Sequence, residues 1–456
     1  MAKYVNVNVT CSRSFQTLSI VTEGKVCVRN RPFTDTFTLH TPHSGTCSYL
    51  TGLCRFLLVR PRHRDMFTCD ALTPSLCSLT VREGTLQVRG LNLTYWKYSG
   101  SKKPTGEPIV MVHGGPGWSH HYMLPLKQQA CRGRDVYFYD QMGAGLSERP
   151  VPSAKTSAPW LFDLSYYAEE LTALIAHLGL TRHHVLGSSW GTIVAQLYAL
   201  THPAGLSSLV LSGPLSDGQL YIRSQWDEAE GSLGSLPPFV QRTLKSLDAA
   251  GRYDSAEYVA IVRALTPFFT VRTTPAPDCF ETANNLMNSE IYEGIQGASE
   301  FTIGGVLKHW NITGQLPALG HLPTLLTYGR YDTMRPPLIR AMARALRNAR
   351  QVEFPHSGHC SMIDDPGLMN DAIDSFFLCV ELGACSKRAA HEPTHHVTGA
   401  FLQVESAPSR APFIGTSPVA LMTAATAIFV GGASAGFLVA RRAPPYQLLR
   451  PALGLL

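Results

Sequence analysis

The chain has 456 residues, 45% of them hydrophobic, enough to bury a large core and, at ordinary domain sizes, to form more than one unit. Its 39 Lys and Arg against 33 Asp and Glu give a formal charge of +6, spread along the chain rather than gathered into a basic run that tracks phosphates, so no nucleic acid is expected as a partner. The 11 cysteines stand singly without a CxxC pair, and their spacing defines neither a zinc site nor a disulfide framework.

Residues 1–77 are rich in Ser, Thr and Arg, with acids only at Glu23, Asp35, Asp65 and Asp70, and show no sustained period of 2 or 3.6. This composition predicts a poorly ordered or targeting extension. The start MAKYVNVNVTCSRS lacks the continuous apolar stretch of a secretory signal, and an organelle leader, a disordered arm or a wrongly assigned start all fit it. Order is expected from Leu79, where LTVREGTLQVRGLNLTYWKYSG alternates apolar and polar residues around a glycine, as a half-buried hairpin does. Short apolar runs follow at PIVMVHG (108–114), DVYFYDQ (135–141), HHVLGSS (183–189), LSSLVLSGP (206–214), PTLLTYG (323–329) and RQVEFPHSG (350–358). Each ends in turn or polar residues and reads as a parallel strand covered on both faces. Helical patterns at 164–178 and 192–201 lie between them, which predicts a doubly wound, mostly parallel α/β sheet built from 78–216 and 320–385.

Between 217 and 319 the alternation stops, and a hundred-residue stretch of mixed helical character, broken at Pro237 and Pro275, reads as an inserted helical cap. Residues 386–418 have the Pro, Ser and His content of a linker. The uncharged run VALMTAATAIFVGGASAGFLVA (419–440) is long enough to cross a hydrocarbon layer and is closed by Arg441 and Arg442, so a C-terminal transmembrane helix is expected, with 441–456 as a short tail. Gly432 and Gly436 form a small-xxx-small pair through which two such helices could pack into a homodimer. A single-pass membrane location follows, with two orientations open. The positive-inside rule places the α/β unit outside or in a lumen, where the sequons at Asn92 and Asn311 would count, whereas tail anchoring leaves it in the cytosol.

A serine hydroxyl needs a base, a group that holds the base, and donors for the oxyanion formed on attack. Gly187-Ser188-Ser189-Trp190-Gly191 is a GxSxG elbow between an apolar strand and a helix, with Ser189 as nucleophile and the Trp190 N–H facing the site. His113-Gly114-Gly115-Pro116-Gly117 ends an earlier strand, and Gly115 is the candidate for the second oxyanion donor. Asp332 and His359 follow successive late strands, in the chain order Ser, Asp, His of α/β-hydrolases, and His359 is preferred to His356 because it follows the turn glycine Gly358. His120 and His121 read as surface residues. With no HExxH, paired-histidine cluster or GxxxxGK[ST] loop, no metal and no cofactor are expected.

Four segments carry a narrower likeness: HGGPG at His113, YDQMGAGLSERP at 139–150, the Trp inside GSSWG, and IYEGIQGASEFTIGGVLKHWNITGQL at 291–316. On these the chain, from about Leu79 to Leu382, resembles the proline iminopeptidase family, including the tricorn-interacting aminopeptidases. The resemblance implies an α/β-hydrolase fold and release of an N-terminal residue, often proline, from a short peptide or amino-acid amide. It also implies that cap acids bind the substrate's free amine. Glu300, in GASEF, matches that role, and Glu290 and Glu293 stand as candidates for a second acid. The alternative on the same triad is a membrane-associated ester or lipid-ester hydrolase, which Phe268, Phe269 and Trp310 in the cap would suit.

Overall fold

The computed structural model describes residues 68–73 and 76–385, together with the backbone of short strands between residues 8 and 50. Those strands include antiparallel pairs, Leu18–Thr22 with Lys25–Arg29 and Thr36–Leu39 with Cys47–Leu50, in a region whose sequence shows no alternation. The expected linker, membrane span and tail lie outside the described residues. Among the described residues no helix is long and apolar enough to cross a membrane.

Eight strands form the central sheet: β1 (Leu79–Val88), β2 (Leu91–Gly100), β3 (Ile109–Val112), β4 (Val136–Asp140), β5 (His183–Ser188), β6 (Leu206–Ser212), β7 (Thr324–Gly329) and β8 (Ala349–Phe354). Their order is β8-β7-β6-β5-β3-β4-β2-β1. β3 to β8 pair in parallel, while the β1–β2 hairpin joins β4 antiparallel. The inner strands are apolar on both faces because both faces are covered. Along β3, Val110 and Val112 enter one core cluster with α1 (Leu164–His177) and α2 (Trp190–Leu200), whereas Ile109 and Met111 enter another with the 3-10 segment His120–Arg132 and the last helix, Pro366–Glu381. Successive residues of a strand point to opposite faces, so one tetrapeptide supplies both cores.

Five α-helices occupy the stretch between β6 and β7: α3 (Gly218–Gln225), α4 (Pro238–Ala249), α5 (Ala256–Phe269), α6 (Asp278–Asn285) and α7 (Ser289–Ile295). The Pro237-Pro238 pair that interrupts the helical pattern opens α4, a position where proline's missing N–H costs nothing. A small apolar cluster of their own, including Leu233, Leu244, Val262 and Phe301, holds α4 and α5 together. Parallel pairing brings the C-terminal ends of β3, β5, β7 and β8 to one edge, beneath these helices.

Candidate active site

Ser189 stands between β5 and α2 with φ 55° and ψ −124°, a conformation an L residue adopts only when its surroundings enforce it. Two contacts do so here. The Ser189 N–H donates to the Ser212 carbonyl at 2.8 Å, and its own carbonyl accepts the Thr192 N–H at 2.8 Å. Gly191 lies so close to the Val112 and His113 carbonyls that a Cβ there would collide with backbone, which explains the second glycine of the elbow.

His359 Nδ1 is 2.6 Å from Asp332 Oδ1, and both side chains are buried. Asp332 Oδ1 also accepts the Met334 N–H at 2.8 Å, fixing the carboxylate. His359 Nε2 is buried and has no hydrogen-bond partner among the described residues. His356 is exposed, so of the two histidines only His359 meets the aspartate. Burial works against a charged His359 ring, but the charge and hydrogen bond of Asp332, with the charge of Glu300, outweigh it and push its pKa up to about 9.

The two glycine loops are tied by a residue that sequence reasoning passed over. Gln141 accepts from Trp190 Nε1 at 2.8 Å and donates its own amide to the His113 carbonyl at 2.9 Å. Its backbone N–H donates to His113 Nε2 at 3.0 Å, and the His113 Nδ1 proton faces the Gly114 carbonyl at 2.9 Å. That arrangement requires a neutral His113, consistent with burial lowering its pKa to about 4. Gly115 has φ 51°, and Trp190 opens α2, where first-turn N–H groups have no intrahelical acceptor. The Gly114 N–H is taken by Tyr122 Oη at 2.7 Å. The reading of His120 as a surface residue is corrected: it is buried, faces Asp140 at 2.9 Å and stacks on Trp96. Burial alone would raise the Asp140 pKa, but His120 brings it down to about 2. His120, His121 and Asp140 are near enough to share a cation, yet Asp140 Oδ1 already accepts the His120 backbone N–H and Oδ2 that of Leu146.

A small cavity opens on Ser189, Gly115 and Trp190. Leu215, Ile303, Leu307 and Met334 form its apolar wall, and Glu300 is the one acid among its lining residues. The Glu300 carboxylate is 4% exposed and accepts from Thr333 Oγ1 at 3.1 Å, with the hydroxyls of Tyr292 and Tyr221 at 3.4 and 3.5 Å. Burial raises its pKa above the usual range. The two candidates for a second acid are elsewhere: Glu290 accepts the Ala154 and Lys155 N–H groups at 2.7 and 3.2 Å, and Glu293 is exposed. Gln296, Tyr221 and Tyr292 line the cavity instead.

Residues 107–366 match the model of the alpha/beta hydrolase fold family. The chain is 33% identical over 285 residues to a proline iminopeptidase of Heyndrickxia coagulans, covering 62% of this chain and 94% of that one. It is 29% identical over 301 residues to a proline iminopeptidase of Saccharolobus solfataricus, covering 66% and 93%. Among solved structures it is similar to the proline iminopeptidase of Mycobacterium smegmatis, with a TM-score of 0.58 and 26% identity over 66% of this chain and 100% of that one. The structure of VinJ is also similar, with a TM-score of 0.60 and 26% identity over 66% and 99%.

Proposed function

Because the chain belongs to the proline iminopeptidase family of α/β-hydrolases, and is thereby a serine hydrolase of the aminopeptidase type, we propose that it releases an N-terminal residue, proline or another small apolar one, from short peptides or amino-acid amides through an acyl-enzyme on Ser189. Ser189 attacks the carbonyl of the N-terminal residue while His359 Nε2 takes its proton, and Asp332 keeps Nδ1 protonated and the imidazolium stabilised. The Gly115 and Trp190 N–H groups face the developing oxyanion. His359 returns the proton to the departing amine, and water then releases the amino acid by the same steps in reverse.

The observation that carries this reading is the buried Glu300 carboxylate in the cavity of Ser189. A carboxylate held out of water pairs strongly with an ammonium, and an acylated amine brings it neither charge nor fit. The raised Glu300 pKa supports the same role, since an incoming ammonium restores the charge that burial disfavours. The apolar wall of Leu215, Ile303, Leu307 and Met334 suits a pyrrolidine or small aliphatic side chain. The same wall favours a second reading, a carboxylesterase on the same triad. The 419–440 run supports a membrane tether for the enzyme.

The test is turnover by the full chain of prolyl and alanyl amides of a chromogenic amine, their N-acetylated counterparts and a short-chain ester. Cleavage of the free-amine amides alone, lost in Ser189→Ala, is expected. Ester turnover without amide turnover would transfer the site to the second reading.

A further inference from the structure

The fold joins six cysteines that the sequence leaves scattered. Cys69 pairs with Cys279, Cys77 with Cys131 and Cys379 with Cys385, at Cα separations of 5.8, 5.5 and 5.1 Å, all within disulfide reach. The first two cross sequence separations of 210 and 54 residues, so the pairs come from different elements. Cys69–Cys279 fastens the segment ahead of β1 to α6, where the Cys69 N–H also donates to Asp278 Oδ1 at 3.0 Å. Cys77–Cys131 fastens the approach to β1 to the end of the His120–Arg132 segment, and Cys379–Cys385 closes the last helix. Within residues 68–73 and 76–385 the remaining cysteine, Cys360, is buried. Disulfides persist where the surroundings are oxidising and are rare in a reducing cytosol.

A separate observation concerns Asn92 and Asn311, which open the sequons Asn92-Leu93-Thr94 and Asn311-Ile312-Thr313. Both asparagines are exposed although the residue after each is buried. Asn92 is the second residue of β2, just past the hairpin turn, and its Nδ2 donates to Glu148 Oε2 at 2.9 Å. Asn311 Oδ1 accepts the Thr313 N–H at 2.9 Å, an Asx turn that fixes the side-chain amide, while Nδ2 donates to Asp217 at 2.9 Å, both bonds lying on the exposed side. An N-linked sugar replaces one of the two Nδ2 hydrogens and leaves the other to donate, so neither contact excludes it.

We infer that the catalytic unit matures in an oxidising, glycosylating compartment, with Asn92 and Asn311 as N-glycan acceptors and the three disulfides formed there. This is independent of which bond the enzyme cleaves. It also selects between the two orientations of the 419–440 run: Arg441 and Arg442 stay on the cytoplasmic side and the enzyme faces away from it.

The experiment uses the full chain expressed in a glycosylating eukaryotic cell, compared with Asn92→Gln, Asn311→Gln and the double variant. A further sequon at Asn8 precedes the described enzyme, so gel steps are assigned by substitution. The expected result is that treatment with an N-glycosidase lowers the apparent mass of the wild type, that each substitution removes one step, and that maleimide labelling under denaturing conditions requires prior reduction at the six paired cysteines. A chain whose mobility is unchanged by the substitutions, or whose cysteines all label without reductant, would overturn the inference. Both readouts are independent of whether a variant is active.

Discussion

The strained backbone at Ser189 and the hydrogen bonds around it define what single residues contribute. Ser189→Ala removes the proposed nucleophile without altering the elbow, and turnover of a prolyl amide should fall by roughly six orders of magnitude with the melting temperature unchanged. Gln141 reaches both glycine loops, so Gln141→Leu should lower kcat more than it raises KM, by roughly 10- to 100-fold if one oriented donor is misplaced. An unchanged kcat would show that the loops hold themselves. Because His359 must be neutral to accept a proton and its pKa stands near 9, the rate should climb with pH beyond the ordinary histidine range. Removing one of the charges that raise it, in Glu300→Gln, should move that limb to lower pH. Ser189, Asp332, His359 and the glycine loops were legible in the sequence because each sits in turn chemistry at the end of an apolar run. Gln141 and the His120–Asp140 pair were not, since their partners lie on other segments and nothing local distinguishes a buried histidine from an exposed one.

At the scale of elements, the strands were legible because both faces of the sheet are covered and leave continuous apolar runs. The hairpin of β1 and β2, at the sheet edge, was legible by its alternation instead. The segment His120–Arg132 was not, because it is an irregular 3-10 helix carrying Pro125 and buries residues without a 3.6 period. Nor was the junction between α5 and the His359 loop. There the His359 and Cys360 N–H groups donate to the Phe269 and Thr270 carbonyls at 2.9 Å each. Asp364 accepts the backbone N–H of Gly358 at 2.9 Å, of Arg272 at 2.9 Å and of Thr273 at 2.8 Å. One carboxylate thus ties the loop carrying His359 to the segment leaving α5. Asp364→Ala should cost about 1–3 kcal/mol of stability and reduce kcat, because several part-buried N–H groups lose their acceptor. A melting curve and kcat that both match the wild type would contradict this role.

Across residues 68–385, long-range closures hold the segment ahead of β1 and the last helix to the rest of the fold, and none could be read from spacing. Besides the disulfides, Arg134 is 1% exposed and pairs with Glu381 at 2.8 Å and Asp374 at 2.5 Å, while His184 Nε2 lies 3.3 Å from Glu381. Burial alone would raise the Glu381 pKa, but the hydrogen bonds of His184, Arg134 and the Glu107 N–H bring it from 4.5 to about 2. A carboxylate depressed in the folded state contributes stability above its ordinary pKa and loses it as pH falls toward the folded value. The melting temperature should therefore drop between pH 4.5 and about 2, less steeply in Glu381→Gln, and identical slopes would contradict the network's part. The proposed recognition of a free amine beside Ser189 is best checked by kcat/KM for a prolyl amide and its N-acetylated form in the wild type and Glu300→Gln. The wild type should show a large preference for the free amine that shrinks by roughly 10- to 150-fold in the variant, about 1.5–3 kcal/mol, through loss on the free-amine substrate. A preference that survives the substitution intact, or a wild type that cleaves both forms equally, would contradict it.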